Sequence, residues 1–322
     1  MTGFYSYADT KVLTLGGRVV ATGLRFPEGP VALGDGSVLV VEMEGGRLIR
    51  ILLSGDKQVV AALGGGPNGA AIGPDGKCYV CNNGGFEWTR TDTGFVRIIG
   101  RASAYAGGRI ERVDLQTGAV DILFTHCGDV PLYGPNDLVF DKNGGFWFTD
   151  MGKSHGRVMD RGAVYYARCD GSLIKEAIFP IQMPNGVGLS PDEKILYVTE
   201  TETSRLWRFP ILGEGEVAKE PWPSAHGGEI VHGLAGFQRF DSLAVEAGGN
   251  ICVATLVRGG ISVISPQGDL IEFWRAPEPS CTNICFGGTD LKTAFITLSG
   301  TGQLIAVEWP RAGLLLNDGR AN

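Results

Sequence analysis

Six side chains recur in one sentence of the sequence, and all six offer oxygen. Glu28, Asn68, Asn136, Asn185, Asp241 and Asn283 each open an apolar run, four of them directly after a proline. Two carboxylates and four carboxamides, with no imidazole or thiolate at an equivalent position, form a donor set that suits a hard divalent cation. Glu28 and Asp241 would balance its charge, and the asparagines would add neutral carbonyl ligands. Without the ion, two carboxylates brought face to face would suffer repulsion and desolvation. A single Pro-Asn-Gly more often makes a local Asx turn. Six copies converging on one axis favour the cation.

The elements that must position them are copies of one hairpin. Tyr133 to Asp150 reads YGPNDLVFDKNGGFWFTD, two short strands around a Gly-rich turn. The same sentence returns as FPEGPVALGDGSVLVVEME, GPNGAAIGPDGKCYVCNNG, MPNGVGLSPDEKILYVTET, FDSLAVEAGGNICVATL and CTNICFGGTDLKTAFITLS. Two further strands follow most copies, such as 46–52 and 58–63, 107–114 and 120–124, 162–168 and 175–179, and 260–264 and 270–274. Six units of four short strands predict an all-β, six-bladed β-propeller of antiparallel blades, a single domain over 1–322 with an irregular tail from about 310. In such a ring the first residue of each innermost strand lies at one mouth of the central channel. The early strands at 11–15 and 18–22 predict closure of the ring, with an N-terminal strand completing the last blade beside 302–309.

Composition agrees. Of 322 residues 43% are hydrophobic and 20% charged, enough for inter-blade cores, and the 50 glycines fall at the turns of the repeat. A formal charge of −7 with no basic run argues against nucleic acid and anionic membrane as partners. No apolar stretch reaches about 18 residues, and the first ten residues lack the pattern of a signal peptide. Seven cysteines, an odd number, read as free thiols in a reducing cytoplasm. Cys78 and Cys81 have half the spacing of a zinc site, yet residues three apart on a strand point to opposite faces.

The set FPEGP, GPNDLVFDKNGGFWFTD, MPNGVGLSPDEKILYVTET, FDSLAVEAGGNICVAT and TNICFGGTDLKTAFIT resembles the senescence-marker-protein/gluconolactonase/luciferin-regenerating-enzyme family across nearly the whole chain. The resemblance implies a six-bladed propeller and a regucalcin-like lactonase with one divalent cation in the channel, calcium first, with zinc, manganese or magnesium as alternatives. Carried over, the metal ligands are Glu28, Asn136, Asn185 and Asp241. Asn68 and Asn283 then fall to substrate contact or to support of the ligands. Sugar-lactonase members carry an arginine two residues before the first ligand asparagine, where this chain has Gly134.

The expected reaction is hydrolysis of a small lactone, sugar or otherwise, with carbonyl polarisation by the metal and water attack assisted by Asp241. Specificity would come from the mouth, where Glu87, Trp88 and Tyr105 of a long insertion (84–106) join Tyr133, Met151, His155 and Glu200, with Arg258 further on. A second insertion, 213–236, reads as an exposed loop. Two other readings stand beside this one, a phosphotriesterase-type hydrolase and a non-catalytic propeller binding calcium or a partner protein. A serine triad is unsupported, since no G-x-S-x-G elbow occurs. A closed propeller is a monomer by default.

Overall fold

The computed structural model describes residues 10–317, in which every regular element is a strand. The inner hairpins lie where the repeat places them. Blade 1 is Pro27–Ala32, Val38–Glu42, Arg47–Ile51 and Lys57–Ala62 in simple meander order, and blades 2 and 3 follow the same order. Six such sheets close into a ring.

Strand periodicity explains the packing. Each blade is buried on both faces, so alternate residues of one strand feed different inter-blade cores. In blade 1, Val38 and Val40 pack with Phe295 and Leu304 of blade 6. Leu39 and Val41 pack with Cys78 and Val80 of blade 2. Cys78 and Cys81 divide in the same way, Cys78 toward blade 1 and Cys81 toward Phe146 and Phe148 of blade 3. They do not face a common ion, and all seven cysteines are free.

Arg18–Ala21 pairs antiparallel with Gln303–Glu308 and completes blade 6, as closure of the ring requires. The preceding strand, Lys11–Thr14, does something the repeat does not announce. It lies parallel to Leu270–Arg275 and adds a fifth strand to blade 5.

One further expectation is corrected and another is extended. The segment 213–236 is not simply a loop, because Glu229–Gly233 returns to pair with Arg205–Gly213 as the outer strand of blade 4. Its Val231 packs into the core between blades 4 and 5, a short apolar contribution that the surrounding Pro and Gly obscure. The tail is irregular but not loose. The Arg311 guanidinium meets the buried Glu246 carboxylate at 2.6 Å, and Asn317 Nδ2 donates to Phe140 O of blade 3 and to Glu193 of blade 4. Residues 310–317 thereby strap the far end of the channel, and 318–322 lie outside the described residues, as do 1–9. Between strap and ring is a cavity of about 140 Å³ walled by Ala71, Val139, Leu189, Val245 and Leu316 among others. No helix among the described residues is long and apolar enough to cross a membrane.

The inner strands approach one another closely where glycine follows a ring residue. A Cβ on Gly69 would sit 2.5 Å from the Asn136 carbonyl oxygen and 2.6 Å from Asp137 Cα. Overpacking of this kind costs about 1–3 kcal/mol. Gly69→Ala is therefore expected to lower unfolding stability by that amount in urea denaturation, and an unchanged midpoint would show that the strands can part freely.

Candidate metal centre at the channel mouth

All six recurring side chains are buried. What turns them toward the axis is a defect in pairing. In five blades the register between the inner and second strands shifts at or just after the ring residue, between Glu28 and Val31, Pro67 and Ala70, Pro135 and Leu138, Pro184 and Val187, and Phe240 and Leu243, and in the sixth it shifts just ahead of it, between Cys281 and Asn283. A bulge releases the side chain from the alternation of the strand and re-aims it.

Hydroxyls on the second strands or just after them then fix the ring from blade to blade. Thr149 Oγ1 donates to the Asn185 carbonyl (2.6 Å), Thr199 Oγ1 to the Asp241 carbonyl (2.7 Å) and Ser299 Oγ to the Pro27 carbonyl (2.6 Å). The last residue of the second strand anchors the approach to the same blade. The Asp150 carboxylate accepts from Tyr133 N and Gly134 N, both at 2.7 Å, and Glu200 accepts from Gln182 N at 2.8 Å.

The oxygen donors are only partly engaged. Asn136 Nδ2 donates to Met151 Sδ (3.2 Å), which leaves its Oδ1 buried with no partner. Asn185 Nδ2 donates to Thr201 Oγ1 and its Oδ1 accepts from Ser242 Oγ. Asn283 Nδ2 donates to Glu28 Oε2 at 3.1 Å, which makes it a support of that carboxylate. The Gly29 amide reaches the same oxygen.

Charge is the dominant feature. Burial raises Glu28 to about 7 against hydrogen bonds from Asn283, Thr282 and Gly29 that lower it. Burial, then the Glu28 charge, hold Asp241 well above the usual carboxylate range, with Asp137 adding to it. Asp137, raised by burial to about 7, is a third buried acid that the repeat reading passed over. The signal was present, since it stands where other copies have Gly29, Gly69, Gly186 and Ser242. Among the described residues no group of three or more His, Cys, Asp and Glu side chains is placed to hold a metal. The set here is mixed, Glu28 and Asp241 with Asn136 and Asn185, and an orphaned buried carbonyl beside mutually repelling acids fits a divalent cation.

The other candidates divide. Met151 touches Asn136, and the Tyr105 hydroxyl donates to Tyr133 O at 2.7 Å, so these three meet beside the ring. The insertion forms a hairpin, Phe86–Arg90 with Val96–Arg101. Its Trp88 lies on Phe26, ring centroids 4.9 Å apart, next to Met43 and Val96. Val96 N reaches Gly300 O of blade 6, so the hairpin crosses the top of blade 1. Glu87 and His155 are exposed, the Glu200 carboxylate is taken up by Gln182 N and Thr203, and Arg258 stacks over Phe273. The Asn68 side chain is buried at its ring position. The hydroxyl relay and the anchoring carboxylates were also unread in the sequence, although Thr-Asp, Thr-Glu or Thr-Leu closes the second strand of four copies.

The raised acids set a pH dependence. A carboxyl whose folded pKa exceeds its unfolded value stabilises fully below the unfolded value and loses that contribution as pH rises through the folded one. Metal-stripped protein should therefore melt several degrees lower at pH 8 than at pH 5, the fall beginning near the ordinary carboxyl values of about 4 and levelling off above about 7, where Glu28 and Asp137 ionise in the folded protein. Saturating calcium should flatten that profile. A profile indifferent to calcium in differential scanning calorimetry would contradict the assignment.

Residues 26–300 match the family model described as the SMP-30/gluconolactonase/LRE-like region. A curated relative, lactonase drp35 of Staphylococcus saprophyticus, is 32% identical over 240 residues, 74% of this chain and 65% of the relative, so less than two thirds of that protein's length is spanned. Among solved structures, the calcium-binding protein regucalcin of Agrobacterium tumefaciens superposes with a TM-score of 0.72 at 21% identity, covering 95% of this chain and 100% of that one. A gluconolactonase of Xanthomonas campestris gives 0.71 at 21% identity, covering 91% and 89%. At these identities the structural likeness speaks to fold, the six-bladed propeller.

Proposed function

The chain belongs to the SMP-30/gluconolactonase/LRE-like family, and on that premise we propose that it is a metal-dependent lactonase acting at the channel mouth. The observation that carries the reading is the buried quartet of Glu28, Asp241, Asn136 and Asn185, with an Asn136 carbonyl that nothing in the protein satisfies. The lactonase name of the Staphylococcus relative supports the reaction class, and the calcium-binding regucalcin supports the ion.

Glu28, Asn136, Asn185 and Asp241 would hold one divalent cation, calcium first. When bound, such an ion supplies Lewis-acid polarisation of a carbonyl and stabilises the oxyanion that forms on water addition. Asp241 takes the proton of the attacking water. Its backbone is fixed by Thr199 and its Oδ1 by Ser242 N (3.1 Å), so the carboxylate needs no reorganisation to act. Glu28 is held against the ring by Asn283 and Gly29, and Met151 keeps the Asn136 amide from rotating.

Position 134 bears on the substrate. A Cβ there would overlap the Gly152 carbonyl oxygen, and Gly134 N is spent on Asp150. The arginine of sugar-lactonase members cannot be seated without moving backbone. A lactone with few hydroxyls therefore fits this mouth better than an aldonolactone. Seven free thiols suit a reducing compartment such as the cytoplasm, and the ring leaves no need for a second subunit.

Metal-stripped protein should hydrolyse δ-valerolactone only after a divalent cation is restored, with kcat/KM at least tenfold above that for glucono-δ-lactone. Asp241→Asn should lower kcat by about 100-fold or more, the scale of losing a positioned acid–base group. Turnover that survives chelation, or an Asp241→Asn enzyme of full activity, would overturn the reading.

A further inference from the structure

The residue that follows the second strand has a constant place in the repeat. In blade 3 it is Met151, which touches the Asn136 side chain, and in blade 4 it is Thr201, which touches the Asn185 side chain. In blade 2 the same position is Asn83, whose backbone N–H donates to Gly66 O just ahead of the ring residue Asn68. Asn83 is fully buried, and its Nδ2 has no hydrogen-bond partner.

Its orientation is fixed from the other side. Asn83 Oδ1 accepts from Gly85 N and from Lys153 Nζ, both at 2.9 Å. Lys153 is itself buried, 2% exposed, and its ammonium also donates to Gly85 O (3.2 Å) and lies 3.4 Å from the centre of the Phe86 ring. These contacts spend the three ammonium donors and leave Lys153 no bond to offer a ligand. Burial pulls its pKa down to about 7 while Asp150 pulls it back, a cost that is tolerated at a residue of the mouth. With two donors on Oδ1, the amide cannot flip without setting N–H against N–H. The lone donor Nδ2 is therefore held in one direction.

We propose that Asn83 is a ligand-contacting residue of the channel mouth, its Nδ2 donating to an oxygen of the bound lactone or of its ring-opened carboxylate, and that Lys153 is the positioning residue that aims it. The proposal rests on the lactonase reading for its ligand, and it assigns a role to two residues outside the cation-holding set. A buried donor costs about 1–3 kcal/mol when unpaired, so a ligand oxygen that pairs it gains affinity, and a positioned donor to an oxyanion is worth about 100-fold in rate.

The test is a double-mutant cycle on calcium-loaded full-length protein. Asn83→Asp keeps an acceptor for Lys153 and Gly85 but deletes the free donor, Lys153→Met deletes the orienting charge, and Asn83→Ala replaces Asn83→Asp if that variant does not fold. The readouts are kcat/KM for δ-valerolactone and calorimetric binding of its product, 5-hydroxyvalerate. Each single variant should lose about 10- to 100-fold in both, with melting temperature within a few degrees, and the double variant should be no worse than the poorer single within threefold. Wild-type values for the Asn83 variant would overturn the donor role, and fully multiplicative losses would overturn the role of Lys153. If wild-type protein turned over no lactone, the lactonase reading would fall by itself. The binding arm then decides the Asn83 proposal, which stands if Asn83→Asp weakens 5-hydroxyvalerate at least tenfold and fails if it does not.

Discussion

Burial of carboxylates beside one another is the constraint on which this molecule turns. Glu28, Asp137 and Asp241 are buried, and each is pushed toward its neutral form, first by burial and, for Asp137 and Asp241, also by the charge of its neighbours. A fold that needed only stability would place apolar groups there, as it does a few residues further down the same strands. The acids instead sit beside an asparagine carbonyl with no partner. A divalent cation resolves both features together, turning mutual repulsion into attraction toward a common charge and pairing the orphaned oxygen.

The rest of the architecture keeps those side chains from relaxing away. Bulges turn them to the axis, glycines let neighbouring strands close in, and the hydroxyls of Thr149, Thr199 and Ser299 tie the carbonyls of Asn185, Asp241 and Pro27 to the preceding blade. Position is thus specified by neighbours in the ring and not within a single blade, which is why closure by Arg18–Ala21 matters to the site. At the far end Arg311, Glu246 and Asn317 hold the strap across the channel, so access to the ring is from the mouth that carries the hairpin of blade 2.

Much of this was legible in the sequence because a repeat writes the same physics six times. The blades, their inner hairpins and a six-residue ring that includes Glu28 and Asp241 followed from the aligned openings and alternating apolar residues, whereas the narrowing of that ring to Glu28, Asn136, Asn185 and Asp241 came from the family resemblance. What escaped was whatever departs from the repeat or acts between copies. Asp137 replaces a small residue at one copy only, Lys153 acts on a blade 70 residues away, and Glu229–Gly233 is a strand hidden among prolines and glycines. The parallel strand at Lys11–Thr14 has no partner in sequence that could betray it. Glu200 shows the reverse error, a polar residue at the mouth whose charge is spent on the backbone of its own blade.

The most direct measurement is a crystal structure of the calcium-loaded protein with the ion located by anomalous scattering. The account predicts one ion at the channel mouth bound by Glu28, Asn136, Asn185 and Asp241, with the Asn136 carbonyl facing it. An ion bound elsewhere, or Glu28 and Asp241 turned away from one another around an ion-free channel at saturating calcium, would contradict it.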